Sequence, residues 1–243
     1  MIMNKVWTIT SRELKSFFDS LTAYILIIVF LGLSGFFTWL FGSDIFFINQ
    51  ATLQPFFSVA YWTLFFFTPA LTMRMLAEEN KTGTIELLLT KAVTDWQVIM
   101  GKFLACLLLI LIALALTLPY YISVWALGPV DHGAVWCGYL GLILMSMTYI
   151  SIGLFASAVT SNQIVAFLLS LFIGVFFLII FNVLSGNFTG LIGEIFNYMD
   201  LSTHFDSISR GVIDSKDVIY FLSISFFGLI LAETSLSKRN IVE

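Results

Sequence analysis

The sequence predicts an all-α, polytopic membrane protein with six transmembrane helices, an N-terminal interfacial helix and an outer helix before the last span. Of the 243 residues, 59% are apolar and only 11% are charged, whereas soluble globular domains carry about 25% charged residues. Two long runs, residues 103–130 and 164–184, contain no Asp, Glu, Lys, Arg or His. Each run can cross a hydrocarbon core of about 30 Å at about 1.5 Å per helical residue. Both are also too long and too uniformly apolar for the strands of a transmembrane β-barrel.

The first element, residues 4–20, is predicted to be an amphipathic helix that lies along the membrane surface. Charged side chains are interspersed there with apolar residues. The apolar residues, among them Trp7, Phe17 and Phe18, recur at helical spacing. In such a helix the Lys and Arg side chains face lipid phosphates while the apolar face enters the interface. The alternative is a plain tail in the aqueous phase.

Apolar runs define the six spans, and no linker or repeat divides the chain, so residues 1–243 are predicted to form a single transmembrane domain. We place the spans at about residues 21–42, 54–76, 97–126, 134–158, 162–184 and 217–236. Pro69 in the second span and Pro119 in the third are both expected kink sites. Small residues in the fourth span, such as Gly138, Gly141 and Gly153, favour close helix packing and a position inside the protein.

The segment before the last span is long, at about residues 185–216. It contains Phe188–Met199, which is apolar on one face but too short to cross a membrane. This stretch predicts a half-inserted or capping helix, or alternatively a loop over the bundle. The last span is short, because only about 15 residues separate Asp217 from Glu233. Glu233 is expected at the interface near Lys238 or Arg239, since a charge in hydrocarbon costs several kcal/mol; the alternative is a Glu233 shielded by protein.

The distribution of Lys and Arg predicts that both termini lie in the cytoplasm, because basic residues concentrate on the cytoplasmic side. With that orientation the outer segments contain only Arg210 and Lys216. The inner segments contain Lys5, Arg12, Lys15, Arg74, Lys81, Lys91, Lys102, Lys238 and Arg239.

Motifs for ATP binding and for common hydrolytic chemistry are absent from the sequence. It has no G-x-x-x-x-G-K-[ST] phosphate loop, no G-x-S-x-G nucleophile elbow and no H-E-x-x-H zinc motif. His132 and His204 fall in predicted outer loops, where we expect solvated side chains. Cys106 and Cys137 are expected at different depths and predict neither a disulfide nor a metal site. We therefore predict no catalytic residue, no cofactor and no nucleic-acid partner.

A charged loop, about residues 77–96, separates the second and third spans. The surrounding stretch Arg74–Gln97 contains seven of the chain's 26 charged residues. Gly83 permits a sharp turn, Thr84 can cap a short leucine-rich helix, and Thr94 or Asp95 can cap the third span. Such a folded ridge could dock into a groove of a cytosolic partner. The alternative is a solvated hairpin, but a simple hairpin needs only about two to eight residues.

The stretch EENKTGTIELLLTKAVTDWQVIMGKFLA, Glu78–Ala105, resembles the signature of ABC-2 type permeases, the membrane subunits of a class of ATP-binding-cassette transporters. Within that family the opening Arg12–Ile25 is most similar to the gliding-motility branch. The resemblance extends over essentially the whole chain. Ala92 departs from it, because close relatives often have proline at that position.

The resemblance implies a permease subunit of an exporter in the bacterial inner membrane, driven by two separate cytosolic ATPase subunits and paired with a second copy or a homologous permease. Residues 4–20 would be the elbow helix, with Trp7, Arg12, Lys15 and Phe18. The loop would contact the ATPase through Glu78, Glu79, Gly83, Thr84, Glu86, Leu87 and Leu88. The path would be lined by Phe57, Tyr61, Trp62, Phe65, Phe177, Phe181 and Asn182.

Alternatives to this interpretation remain at the level of the sequence. An ATP-independent membrane transporter or a scaffold component would also be polytopic, although ion-coupled transporters usually keep charges near mid-membrane. The aromatic residues of the second and fifth spans could simply pack in the core or face lipid. Asn182 could bond a neighbouring helix rather than a substrate.

Overall fold

The computed structural model describes residues 2–41, 50–83 and 93–242, and in these ranges it contains helices and no strand. The helices are α1 (Ile2–Asp19), α2 (Thr22–Trp39), α3 (Gln54–Thr72), α4 (Ala77–Thr82), α5 (Asp95–Ala115), α6 (Leu118–Leu127), α7 (His132–Val159), α8 (Gln163–Val175), a π-helical segment (Phe176–Ile180), α9 (Phe181–Asn187), α10 (Leu191–Met199), α11 (Leu201–Ser209) and α12 (Ser215–Val242).

Six stretches of helix in the described ranges are long and apolar enough to cross a membrane. They are Thr22–Trp39, Gln54–Thr82, Asp95–Leu127, His132–Val159, Gln163–Asn187 and Ser215–Lys238. This arrangement confirms the predicted all-α fold class with six spans. The last helix is longer than expected from its apolar run, because α12 begins before Asp217 and continues past Glu233.

The helix of the third span is interrupted beside Pro119, where the sequence predicts a kink, whereas α3 continues through Pro69 to Thr72 without a break. Helix α5 ends at Ala115, and α6 begins at Leu118 with Pro119 in its first turn. Proline is tolerated there because the first-turn N–H groups have no partner within the helix. At the other end of the span, Thr94 caps α5 in a capping box with Gln97, which confirms the predicted start.

Helix α7 is the centre of the bundle, as its small residues predict. In its most apolar stretch 78% of the residues are buried, against 22% in the fifth span. A Cβ atom built on Gly153 would lie 2.0 Å from the Thr72 Oγ1 atom of α3, and one on Gly138 would lie 2.4 Å from the Phe57 ring. The side chain of Thr148 bonds α12 through the carbonyl oxygen of Phe221 at 3.2 Å. Neighbouring helices can therefore approach α7 closely only because these positions are small.

Helix α1 lies against the start of the third span. Its Thr10 hydroxyl donates to the carbonyl oxygen of Gly101 at 3.1 Å, and Ile9 occupies the space where a Gly101 side chain would be. This end of the molecule is called the α1 side below.

The opposite end, called the α11 side, contains two short helices where the sequence predicts one. Helix α10 lies within the predicted Phe188–Met199 stretch and exposes Leu191 and Ile192. Helix α11 was not predicted, and its Phe205 and Ile208 pack against Gly141 of α7.

Candidate functional site

Four charged side chains meet on the α1 side and connect three helices. Lys102 of α5 is 1% exposed, and its Nζ atom lies 2.8 Å from Glu79 Oε1 of α4 and 3.5 Å from Glu13 Oε1 of α1. The half-exposed Arg12 pairs with Glu13 and lies 3.8 Å from Glu79. These four residues are called the charge cluster below. It contains two positive and two negative charges, so it is balanced.

The electrostatics of the charge cluster are visible at Glu13. Burial alone would raise the pKa of the Glu13 carboxyl, but the charge of Lys102 and the hydrogen bond from Arg12 lower it, and the net effect is a lowered pKa. The carboxylate form is therefore favoured by its partners. Since Lys102 is almost completely buried, its charge is tolerated only because both carboxylates contact it.

A second set of contacts fixes α4 to the end of α7. The backbone N–H groups of Leu76 and Ala77 donate to the Ser157 hydroxyl oxygen at 3.0 and 2.9 Å. The same hydroxyl donates to the carbonyl oxygen of Met73 at 3.0 Å, and the Asn80 amide donates to the carbonyl oxygens of Ala158 and Thr160 at 3.4 Å each. Together with the charge cluster, these contacts attach α4 to α1, α5 and α7.

The structure separates the predicted ATPase-contact residues into different environments. Glu78 is exposed, whereas the Glu79 carboxylate turns inward to Lys102. Gly83 ends α4 with a φ of 67°, a left-handed conformation that favours glycine. Thr84, Glu86, Leu87 and Leu88 lie outside the described residues, as does Ala92.

The predicted elbow residues lie on different faces of α1. Trp7 and Lys15 are exposed, Phe18 is half-buried and packs edge-on to Tyr24 with ring centroids 5.5 Å apart, and Arg12 belongs to the charge cluster. The side of α1 that contacts the bundle is formed instead by Ile9, Thr10 and Phe17.

The predicted path-lining residues of the second span lie mostly in the core of the chain. Phe57 and Tyr61 are buried against α7 and α11, with the Tyr61 and Phe205 ring centroids 4.9 Å apart. Phe65 is buried against Gly174 and Tyr149. Trp62 is 47% exposed. The role of the three buried rings in a path stays a prediction.

The predicted path-lining residues of the fifth span lie in or directly after the π-helical segment, since Phe177 is part of it and Phe181 and Asn182 follow it. Such a local irregularity often occurs at functional sites. Phe177 and Phe181 are half-buried and contact each other with ring centroids 5.6 Å apart. The Asn182 amide donates to Asp200 Oδ2 at 2.9 Å. This bond to a neighbouring part of the chain agrees with the alternative that Asn182 has a structural partner rather than a substrate.

A cleft of about 410 Å³ opens between α3, the fifth span and α11 and is called the polar cleft below. Aromatic side chains and an aliphatic wall from the fifth span form part of its lining, and Asn182, Ser202 and Asp206 form the polar part. It is lined by Gln54, Phe57, Ser58, Tyr61, Trp62, Leu178, Ile179, Asn182, Val183, Ser202, Phe205, Asp206 and Ser209.

Two buried acidic residues on the α11 side were not recognised from the sequence. Asp200 caps α11 and accepts hydrogen bonds from Ser202 and Thr203. His204 is 3% exposed and its Nδ1 atom lies 2.6 Å from Asp217 Oδ1, so the expectation of a solvated loop histidine is wrong. The physical reason is that α11 folds back onto α12. Asp200 in the sequence Asp-Leu-Ser-Thr at 200–203 is a capping signal that could have located this helix.

Comparison with protein families connects this geometry to a class of protein. A family model described as ABC-2 family transporter protein matches residues 48–234, more than three quarters of the chain. The chain belongs to this family. No curated protein matches the sequence. The matched range includes Glu79, Lys102 and the whole polar cleft, whereas α1 precedes it. Two members of the charge cluster of this ABC-2 transporter chain, Arg12 and Glu13, therefore lie outside the family's matched range.

Proposed function

We propose that this chain is the permease subunit of an ATP-driven exporter and that a separate cytosolic ATPase moves it through the Ala77–Gly83 segment. Membership of the ABC-2 transporter family supports the transport role. The lack of a phosphate loop in the sequence supports a separate chain as the source of ATP hydrolysis. In this proposal two ATPase subunits serve a pair of permeases, which are two copies of this chain or one copy and a homologue.

The charge cluster is the observation that supports the coupling role of α4. A force applied to the exposed Glu78 face of α4 acts on a helix that is bonded to α5 through Lys102 and to α7 through Ser157. Its Glu79 carboxylate also lies 3.8 Å from Arg12 of α1. Since these contacts are short and largely buried, α4 moves together with these helices rather than independently of them. In the proposed mechanism this displacement tilts the second span and opens or closes a path beside it.

The orientation follows from the same arrangement. We propose that the α1 side faces the cytoplasm, because basic residues are concentrated there and the ATPase requires it. Both termini would then lie in the cytoplasm and the α11 side would face out of a bacterial inner membrane. A more specific assignment to the gliding-motility branch is supported only by the likeness of Arg12–Ile25.

The test compares the chain alone with the complex isolated from its own membrane in a mild detergent. The chain alone is expected to show no binding of ATP by calorimetry, whereas the complex should hydrolyse ATP. Glu78→Lys reverses an exposed charge on α4 and should lower hydrolysis or release the ATPase. Glu194→Lys makes the same change on exposed α10 at the other end and should leave both unchanged. Micromolar ATP binding to the chain alone would overturn the proposal of a separate ATPase.

A further inference from the structure

The polar cleft has a chemical bias that its shape alone does not explain. Asp206 is the acidic group in its lining, and none of the described residues that line it is basic. The Asp206 carboxylate makes no ion pair or side-chain hydrogen bond with the described residues. The buried Tyr61 hydroxyl lies beside the Ser202 side chain in the same lining. A ligand that enters this cleft therefore meets acceptors and aromatic faces, which suit a cation.

A second depression shares part of its lining with the polar cleft. It has a volume of about 570 Å³ and lies between α2 and α3, and it is called the apolar groove below. Its lining consists of Leu33, Phe37, Ser58, Val59, Trp62, Thr63, Phe66 and Phe67. Ser58 and Trp62 belong to both linings. The two spaces therefore meet at one turn of α3.

The pairing of a polar and an apolar space restricts the kind of molecule that fits. A small inorganic cation would use only the carboxylate, and a neutral lipid tail would use only the groove. Each space alone has the size of a small-molecule pocket. A molecule with a charged head and a long apolar tail would satisfy both, with its head near Asp206 and its tail beside Phe37 and Phe66.

We propose that the polar cleft and the apolar groove together bind a cationic amphiphile, with its positive head in the cleft and its hydrocarbon tail in the groove. Trp62 lies between them, where its ring can contact the head on one side and the tail on the other. That this molecule is the cargo of the transporter rests on the proposed function, whereas its binding does not.

The state of Asp206 gives the binding a pH dependence. Burial raises the pKa of the Asp206 carboxyl, and the nearby Arg210 partly offsets this effect. The charged groups around Asp206 are Asp200, which precedes α11, and Arg210, which follows it. A bound cation would favour the carboxylate, so binding should weaken as the pH falls and Asp206 is protonated.

The experiment uses the full chain in lipid nanodiscs and equilibrium dialysis of labelled dodecyltrimethylammonium below its micelle concentration. Saturable binding above that of empty nanodiscs is expected. Dodecyl sulfate, with the same tail and the opposite charge, should not saturate. Tetramethylammonium, which has no tail, should bind at least about tenfold more weakly.

Two matched variants assign the head site. Asp206→Asn keeps the shape of the side chain and should weaken binding about tenfold, the typical effect of losing one charged contact. It should also remove the pH dependence. Asp214→Asn changes a carboxylate outside both linings and should leave the affinity unchanged. A size-exclusion profile like that of the unmodified chain shows that each variant is folded.

The outcomes separate the binding site from the proposed function. Equal binding of dodecyl sulfate, or equal affinity in the two variants, would overturn the proposed site. If the ammonium probe binds as expected but ATP hydrolysis by the complex does not respond to it or to changes in α4, the site stands and the proposed function fails.

Discussion

Replacement of Lys102 tests whether the charge cluster holds the α1 side together. Lys102→Met keeps the length of the side chain and removes its charge, so Glu13 and Glu79 stay mostly buried and have only the half-exposed Arg12 as a cation. Removing one partner of a buried ion pair costs about 3–5 kcal/mol. Because the two carboxylates are 14% and 18% exposed, some water reaches them and the lower end, about 3 kcal/mol, is expected.

A double-mutant cycle makes this expectation specific. Glu79→Gln alone should cost about 1.5–3 kcal/mol, because it removes the 2.8 Å charged bond to Lys102. The double variant Lys102→Met, Glu79→Gln removes one charge of each sign and leaves the Arg12–Glu13 pair intact. Its cost should be smaller than the sum of the two single costs by at least about 1.5 kcal/mol.

The assay can use a thiol that the chain already contains. Cys106 is completely buried one turn after Lys102 in α5, so its reaction with a maleimide dye on heating reports unfolding at that position. The half-buried Cys137 is replaced by Ser in all variants to leave a single thiol. Lys102→Met should lower the midpoint by about 6–12 °C. Strictly additive single costs would show that Lys102 and Glu79 do not act as a pair, and the reasoning would be refuted.

Three further changes probe the packing and the charges. Gly153→Ala should destabilise the chain by about 1–3 kcal/mol, because the new methyl group meets Thr72. Its control is Gly32→Ala, which has open space around it and should be neutral or slightly stabilising in the same melting assay. Ser157→Ala should cost about 1–3 kcal/mol by leaving buried N–H groups unsatisfied, and faster hydrogen exchange confined to the segment around α4 would show it. The lowered pKa of Glu13 means that its stabilising effect is present above its unfolded pKa and lost as the pH falls through its folded pKa. A melting temperature that drops less on acidification in Glu13→Gln than in the unmodified chain would confirm this.

The fold was largely predictable because membrane spans leave a strong signal in the sequence. Each span requires about 20 apolar residues, so composition and runs locate them. Pro119 and Thr94 are local signals, and both act where they were expected. The small residues of the fourth span also predicted its central position, since close helix contacts in membranes need small side chains.

The contacts within the site were not predictable in the same way. The polar residues around Glu79 in the sequence predict a surface position for it. Its bond to Lys102 depends instead on how α4 packs against α5. His204 and Asp217 are 13 residues apart in a segment that reads as a loop, and only the packing of α11 on α12 buries them. The hydrophobic pattern indicates how deeply a residue is buried and on which face of a helix it lies. It does not indicate which charged groups of different helices contact each other.

The central claim is that a separate ATPase drives this chain through the segment that ends at Gly83. The most direct measurement is ATP hydrolysis by the isolated complex with Gly83→Pro, because proline cannot adopt the φ of 67° found there. The account predicts that the variant complex loses its permease-dependent ATP hydrolysis while the melting midpoint of the chain alone changes little, since the backbone strain arises at the exposed end of the six-residue α4. Unchanged hydrolysis in a complex of unchanged composition would contradict the claim.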